Sequence, residues 1–272
     1  MSSYPSISII TVTFNASKCI EKTIKSVLAQ SFQDWEYIII DGGSKDGTVD
    51  IIKQYADRLT YWVSEPDKGI YDAMNKGIAH ASGELIGIVN AGDYYEPDTL
   101  SIVAEAYRMH PNAGIFHGIL NYRNIDGTLF KTKIPDSDVS HLCSAFRMHH
   151  PTFFVTKTTY ASIGAYDTTY RITADYDFAL RAYFKGIEFY YINEVLSNFI
   201  LDGISSTNRK ATLKESKRAL LKNGISEKEA EQTYLQWLRK EKKNNFYRKG
   251  YDFLKTLVPL AILNRIAKYF KV

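Results

Sequence analysis

Between residues 7 and 64 the chain alternates three β-branched apolar runs with two segments of helical period, and few folds accommodate that alternation. The run Ile-Ser-Ile-Ile-Thr-Val-Thr at Ile7–Thr13 suits a pleated, covered surface and predicts a buried strand. After the loop Phe14-Asn15-Ala16-Ser17, in which Ser17 can cap a helix, Ile20, Ile24, Val27 and Leu28 fall three and four apart and make one apolar face. Residues 35–40 predict a second strand, Thr48 opens a second helix carrying Val49, Ile51, Ile52 and Tyr55, and residues 59–64 predict a third strand. Strands separated by helices at this spacing imply parallel pairing through right-handed crossovers. The expectation is an α/β fold, a Rossmann-like and mostly parallel sheet flanked by helices.

Ligands of such sheets bind at the carboxyl ends of the strands. Strand two ends there in Asp41-Gly-Gly-Ser-Lys-Asp-Gly47, whose glycines allow close backbone approach and positive φ. Asp41 stands where doubly wound folds place the acid that holds a ribose hydroxyl. The first turn, residues 13–17, lacks G-x-G-x-x-G, which disfavours a nicotinamide enzyme, and residues 42–47 lack the P-loop pattern. A short strand at residues 86–89 breaks into Asn90-Ala91-Gly92-Asp93 and sets a carboxylate just past its end; Pro97 suits the first turn of a helix starting at Asp98. The segment from Glu65 to Gly77 is dense in charge. Its helical spacing from Ile70 puts Asp67, Lys68 and Gly69 at a helix N-terminus, where backbone amides and dipole suit a phosphate and Lys68 adds charge. Asp67 as a plain helix cap explains the same pattern.

Further along, an amphipathic helix is expected over 99–110, strands near 113–122 and 130–134, and a strand over 148–155 carrying His149 and His150. Thr173 fits the cap of a helix with Asp175 in its first turn. Asp175 and Asp177, two apart on a helix, point about 200° apart, so at most one faces a pocket.

The net charge of +4 conceals a split. Residues 1–205 carry 17 Lys+Arg against 24 Asp+Glu, a balance of −7, and residues 206–272 carry 17 against 6, a balance of +11. Such asymmetry marks a tail that meets something anionic, a lipid headgroup layer or nucleic acid. From Phe246 the tail becomes basic, aromatic-flanked and amphipathic, interrupted at Pro259 and too short to span a bilayer, which takes about 18 apolar residues. It suits lying on an anionic membrane surface, with no nucleic acid involved. The plain alternative packs it on the catalytic domain or on a second subunit, the latter giving a homodimer. Cys19 and Cys143 have no metal-ligand spacing, and the start of the chain has no signal-peptide pattern, so a cytoplasmic compartment is expected, peripheral on the inner face of the membrane.

Taken together, Ser8–Asn15, Ile38–Thr48, Gly83–Asp93 and Thr173–Arg181 resemble, in order and spacing, the motifs of the family-2 glycosyltransferases. This is the large inverting group with the GT-A nucleotide-sugar fold, and the Glu-Pro-Asp-Lys-Gly-Ile-Tyr-Asp-Ala segment looks like its branch for bacterial exopolysaccharide, capsule and O-antigen. The match covers about residues 5–205. It implies a GT-A domain over 1–205 (about 1–110 for the nucleotide sugar, 111–205 for the acceptor), followed by a helical basic C-terminal extension over 206–272. By resemblance, Thr13 and Phe14 bracket the nucleobase, Asp41 sits beside base and ribose, and Lys68, Asn90 and Ala91 join the nucleotide-sugar site. Asp93 matches the final acid of the D-x-D-type signature, which holds a divalent metal, Mg²⁺ or Mn²⁺, on the diphosphate. Asp175 matches the general base of the family's Glu-Asp pair, and His150 is an acceptor or metal contact. The implied donor is a UDP- or GDP-sugar and the acceptor a glycan or lipid-linked hydroxyl. The chain departs from the pattern where Gly42 replaces a second acid, Asn90 and Gly92 replace the upstream metal acids, Met74 replaces a basic residue and Ala174 replaces the glutamate. Those missing acids motivate the alternative, a non-catalytic nucleotide-sugar-binding domain.

Overall fold

A computed structural model describes residues 6–144, 148–201 and 208–255, with 244–255 described by backbone alone. The chain forms two compact units, Met1–Arg209 and Lys210–Val272.

The first unit is built on one curled, mixed sheet. Strands β1 (Ile7–Thr13), β2 (Trp35–Asp41), β3 (Tyr61–Ser64) and β4 (Leu85–Ile88) run parallel in the order β3-β2-β1-β4. Helices α1 (Ile20–Leu28), α2 (Thr48–Gln54) and α3 (Ile70–His80) lie between them in the chain. Every residue of β1 is buried, as a strand covered on both faces requires. On one face Gly77 of α3 lies so close that a Cβ there would enter the envelope of Ile10 Cγ2. The strand order reverses around β1, with β2 on one side and β4 on the other, so the loops leaving β1 and β4 open on the crevice where such sheets bind ligands.

Beyond β4 the sheet continues through β8 (Phe154–Thr156), β6 (Ala113–Arg123), β9 (Glu188–Ile200) and β5 (Tyr94–Tyr95), and β7 (Leu129–Lys133) pairs with β6. Strand β8 is antiparallel to both neighbours, whereas β6 and β9 are parallel. Helices α4 (Thr99–Met109), α5 (Lys157–Ile163) and α6 (Ala174–Phe184) complete the unit.

Two local expectations are corrected. Residues 150–152 form a 3₁₀ turn with Pro151 inside it, so His149 and His150 precede a strand that starts only at Phe154. Proline has no N–H to give a ladder, which is why pairing cannot begin sooner. Ser17 does not cap α1; Cys19 holds that position, and the Ser17 amide donates instead to Asp46 Oδ2 at 3.0 Å.

The second unit contains the helices Arg209–Lys222 and Glu227–Lys255, with Gly224 at φ 87° in the turn between them. Ala219, Leu220 and Ala230 are buried, and Lys217 pairs with Glu231 across the turn. The expected membrane-surface segment lies mostly at 256–272, outside the described residues. Among the described residues no helix is long and apolar enough to cross a membrane.

Candidate active site

The loops after β1 and β2 are laced together. Asn15, at φ 49°, donates its amide to Ser44 Oγ at 2.7 Å and accepts from the Lys45 amide at 3.0 Å. The Ala16 amide reaches Thr48 Oγ1 at 2.8 Å. Asp46 accepts from the Thr48 hydroxyl and from the Ser17 and Thr48 amides, and these bonds hold its carboxyl well below the usual range. Asp41 belongs to the same framework. It is fully buried and takes the Gly43 and Ser44 amides at 3.1 and 2.9 Å, the Ser64 hydroxyl at 2.6 Å and the Ser44 hydroxyl. These bonds use its oxygens to shape the loop at the end of β2, where the resemblance expects base and ribose. What the two loops offer the crevice is Phe14, 63 % exposed, and the neighbouring Thr13, whose buried Oγ1 has no hydrogen-bond partner among the described residues.

The loop after β4 is fixed by α1. Thr23 Oγ1 accepts from the Gly92 amide at 2.9 Å and donates to the Asp93 carbonyl at 2.7 Å, while the Ala91 amide extends the pairing with β1 by donating to the Val12 carbonyl at 3.1 Å. Asn90 Oδ1 is buried without a partner among the described residues. Gly92 adopts φ 103°, a conformation that a side chain disfavours, so the acid expected in related chains is excluded at this bend. Asp93 is only 5 % exposed, and its Oδ1 accepts from the Ile200 amide of β9 at 3.1 Å. Among the described residues no group of three His, Cys, Asp or Glu side chains could hold a metal ion. The donor set therefore does not build a metal cage. It fits an Mg²⁺ or Mn²⁺ ion that takes one carboxylate and completes its shell with phosphate oxygens and water.

Helix α3 joins this edge to the chain's later half. The Gly69 amide donates to Asp67 Oδ1 at 2.8 Å and the Lys68 amide to Asp72 Oδ2 at 3.0 Å. Two carboxylates thus accept from amides at the helix start, the place expected for a phosphate, and the Lys68 side chain is exposed beside it. One turn in, Tyr71 donates to the Ile172 carbonyl at 2.7 Å, and Asn75 pairs doubly with the Tyr166 backbone at 2.7 and 2.9 Å. The i, i+4 spacing puts these two side chains on one face, and that spacing is the signal by which sequence reading could have found them.

The acids of α6 have different surroundings. Asp177 is fully buried and pairs with Arg181 Nε at 2.9 Å. The Arg181 guanidinium also donates to the carbonyls of Ile163, Gly164 and Ala165, so the pair ties α6 to the end of α5. Asp175 stays half-exposed at the start of the helix, with Oδ1 2.9 Å from the Tyr176 amide and 3.5 Å from the Tyr71 hydroxyl. His150 is buried and its Nε2 meets the Tyr166 hydroxyl at 2.9 Å. Burial pushes its pKa down to about 4. The residue expected as an acceptor or metal contact thus packs in an aromatic cluster with Phe153 and Tyr166.

The family model for "Glycosyl transferase family 2" matches residues 8–183. This chain belongs to glycosyl transferase family 2. An uncharacterized glycosyltransferase of Mycobacterium tuberculosis is 37 % identical over 184 residues, covering 67 % of this chain and 70 % of that protein. A PGL/p-HBAD biosynthesis glycosyltransferase of Mycobacterium bovis is 31 % identical over 186 residues, covering 66 % and 70 %. Among solved structures, Staphylococcus aureus TarS 1–349 in complex with UDP-GlcNAc superimposes with TM-score 0.62 at 17 % identity, over 86 % of this chain and 71 % of that one. The matched part amounts to 43 % of the longer TarS structure. The mannosyltransferase PcManGT of Pyrobaculum calidifontis, in complex with GDP-Man and Mn²⁺, gives TM-score 0.62 at 18 % identity, over 80 % and 64 %. At those identities the solved structures establish the fold alone, that of the GT-A glycosyltransferases. Within this glycosyltransferase family the curled sheet presents Thr13, Phe14, Asn90 and Asp93 on the loops that leave β1 and β4, the two strands flanking the crevice.

Proposed function

We propose that this chain transfers a sugar, with inversion, from a UDP- or GDP-sugar to a hydroxyl of a glycan or lipid-linked acceptor in the synthesis of cell-surface polysaccharide. The observation that carries the reading is the contrast on α6. Asp177 is locked to Arg181, whereas Asp175 is half-exposed and tied through Tyr71 to the helix that follows β3. In the reaction the acceptor hydroxyl gives its proton to the Asp175 carboxylate while its oxygen bonds to the anomeric carbon. The bond from that carbon to the diphosphate oxygen breaks, and the nucleoside diphosphate leaves with the electron pair. One in-line displacement inverts the anomeric centre. A positioned base of this kind contributes roughly 10²–10⁴-fold. Negative charge grows on the departing diphosphate, and a bound divalent metal would supply its neutralisation. Asp93 is the residue that would hold such an ion. Thr13 and Asn90, with their unpartnered oxygens, are the groups proposed to meet the nucleotide sugar from below, and the exposed Phe14 ring to cover the base.

The purified full chain, given a panel of nucleotide sugars and Mn²⁺, is expected to release UDP or GDP. Asp175→Asn should lower kcat by about 10²–10⁴-fold without shifting the thermal midpoint, and Asp93→Ala should lower turnover as well. Release that both substitutions leave unchanged would overturn the mechanism. Tight binding of a nucleotide sugar with no turnover toward any acceptor would favour the non-catalytic alternative, which Gly42, Gly92 and Ala174 motivate.

A further inference from the structure

Gly42 stands where many chains with this strand-two motif carry a second acid, and the space beside it is already filled. A Cβ at position 42 would enter the envelope of Asp67 Oδ2 and lie 3.1 Å from Asp67 Cγ and 3.3 Å from Phe14 Cδ2. The Asp67 carboxyl group thus occupies the start of the path that a side chain at 42 would follow. It arrives from the loop between β3 and α3, and its two oxygens have separate surroundings. Oδ1 accepts from the Gly69 amide at 2.8 Å and closes the turn that leads into α3, whereas Oδ2 is the oxygen turned toward Gly42. Phe14, exposed over most of its ring, borders the same space, and the adjoining Thr13 has a buried hydroxyl oxygen with no partner among the described residues. An aromatic face with a carboxylate oxygen at its edge suits a flat heterocycle with a polar rim.

We propose that Asp67 is the acid that reads the nucleobase in this chain, in place of the one absent at position 42, and that the base it selects is uracil. The proposal rests on the nucleotide-sugar reading above. Uracil presents one N–H on its pairing edge, at N3, between two carbonyls. One directed carboxylate oxygen answers that single donor, since the other is held by Gly69. Guanine presents two adjacent donors on the same edge and needs both oxygens of a fork. Cytosine presents a lone pair at N3, which a carboxylate repels. A hydrogen bond to an ionised acceptor is about twice as strong as a neutral one, so the charge of Asp67 carries the selectivity.

The test is calorimetric titration of the full chain with UDP, CDP and GDP, with a thermal melt of each variant. The wild type should bind UDP about tenfold or more tighter than CDP or GDP, the scale of one hydrogen bond to a charged group. Asp67→Asn should lose about tenfold in UDP affinity and bring UDP and CDP close together. Asp67→Ser retains a side-chain oxygen for the turn closed by the Gly69 amide, so it should melt like the wild type yet show the same loss of UDP preference. The double change Gly42→Asp with Asp67→Gly moves the acid to the other side of the same space and should restore preference for UDP. Asn and Ser variants that bind UDP as tightly as the wild type, at an unchanged UDP-to-CDP ratio, overturn the proposal and leave the nucleotide-sugar reading intact. A wild type that prefers GDP does the same. Failure of the wild type to bind any nucleoside diphosphate overturns both.

Discussion

Acid should destabilise this protein through its buried histidines, and His117 is the residue on which to test that. It lies in the middle of β6 at 0 % exposure, with the rings of Phe153 and Tyr191 at centroid distances of 6.3 and 5.7 Å. Neither of its ring nitrogens has a hydrogen-bond partner among the described residues. Burial, and to a lesser degree the neighbouring His149, push its pKa down to about 4, and burial does the same to His150. In the unfolded chain both titrate near ~6.5. Between those values the unfolded state takes up protons that the folded state refuses. Stability is therefore fully present above about pH 6.5 and is lost as pH falls toward 4. Well inside the window each group contributes a slope of about 1.4 kcal/mol per pH unit, so the two together approach about 3. Over two units that is on the order of 5 kcal/mol, comparable with the whole stability of many domains. His117→Leu removes one titrating group and two buried nitrogens that each cost about 1–3 kcal/mol unsatisfied. Urea unfolding followed by tryptophan fluorescence from pH 7.5 to 4.5 measures the effect. The leucine variant should be at least as stable as the wild type at pH 7.5, and its slope below pH 6 should be smaller by one proton. Identical slopes would refute the argument. So would a loss of several kcal/mol at neutral pH, because it would mean that the imidazole has a polar partner.

Two further substitutions test the packing that positions the site. Gly77→Ala forces a methyl group into the side chain of Ile10 where α3 crosses β1, and should cost about 1–3 kcal/mol in chemical unfolding; an unchanged midpoint would show that the helix can lift off the sheet freely. Arg181→Ala removes an ion-pair partner of the buried Asp177 carboxylate and should cost about 3–5 kcal/mol, whereas Arg181→Met with Asp177→Leu should recover much of that stability.

The parallel half of the sheet was legible because its signal is local. Residues 7–13 and 35–40 are β-branched, apolar runs of strand length, and the helices between them repeat at three and four. The later half was harder for physical reasons. Strand β9 is thirteen residues long, but its register against β6 shifts in three places and its exposed Glu188, Asn193 and Glu194 break the alternation. Strand β8 is only three residues and owes its start to Pro151, so the histidines before it look like strand residues in one dimension. At the site, residue type announced Asp41, Asp93 and Asp175, but type does not report burial. The four hydrogen bonds that enclose Asp41 come from residues up to 23 positions away, and only the assembled loops reveal them. Thr23 was invisible for the converse reason. It sits at an ordinary position of α1 and acts through a loop seventy residues later.

Three of the four positions where this chain lacks an expected acid are constrained by their surroundings. Gly92 is in a left-handed bend that a side chain would strain, and Thr23 holds that bend on both sides. Ala174 is fully buried at the first position of α6. Gly42 faces the Asp67 carboxyl, so an acid there would drive two like charges into one space. At Gly92 the backbone angle, and at Gly42 the neighbouring carboxyl, disfavour the missing group. Single restorations there therefore act first on the fold and only then on chemistry. The loss of three acids is thus not three separate failures of an active site. On the proposed reading Asp67 supplies the charge at the base edge and Asp175 acts alone as the base, while Asp93 is the carboxylate on the loop after β4 that meets the Ile200 amide of β9.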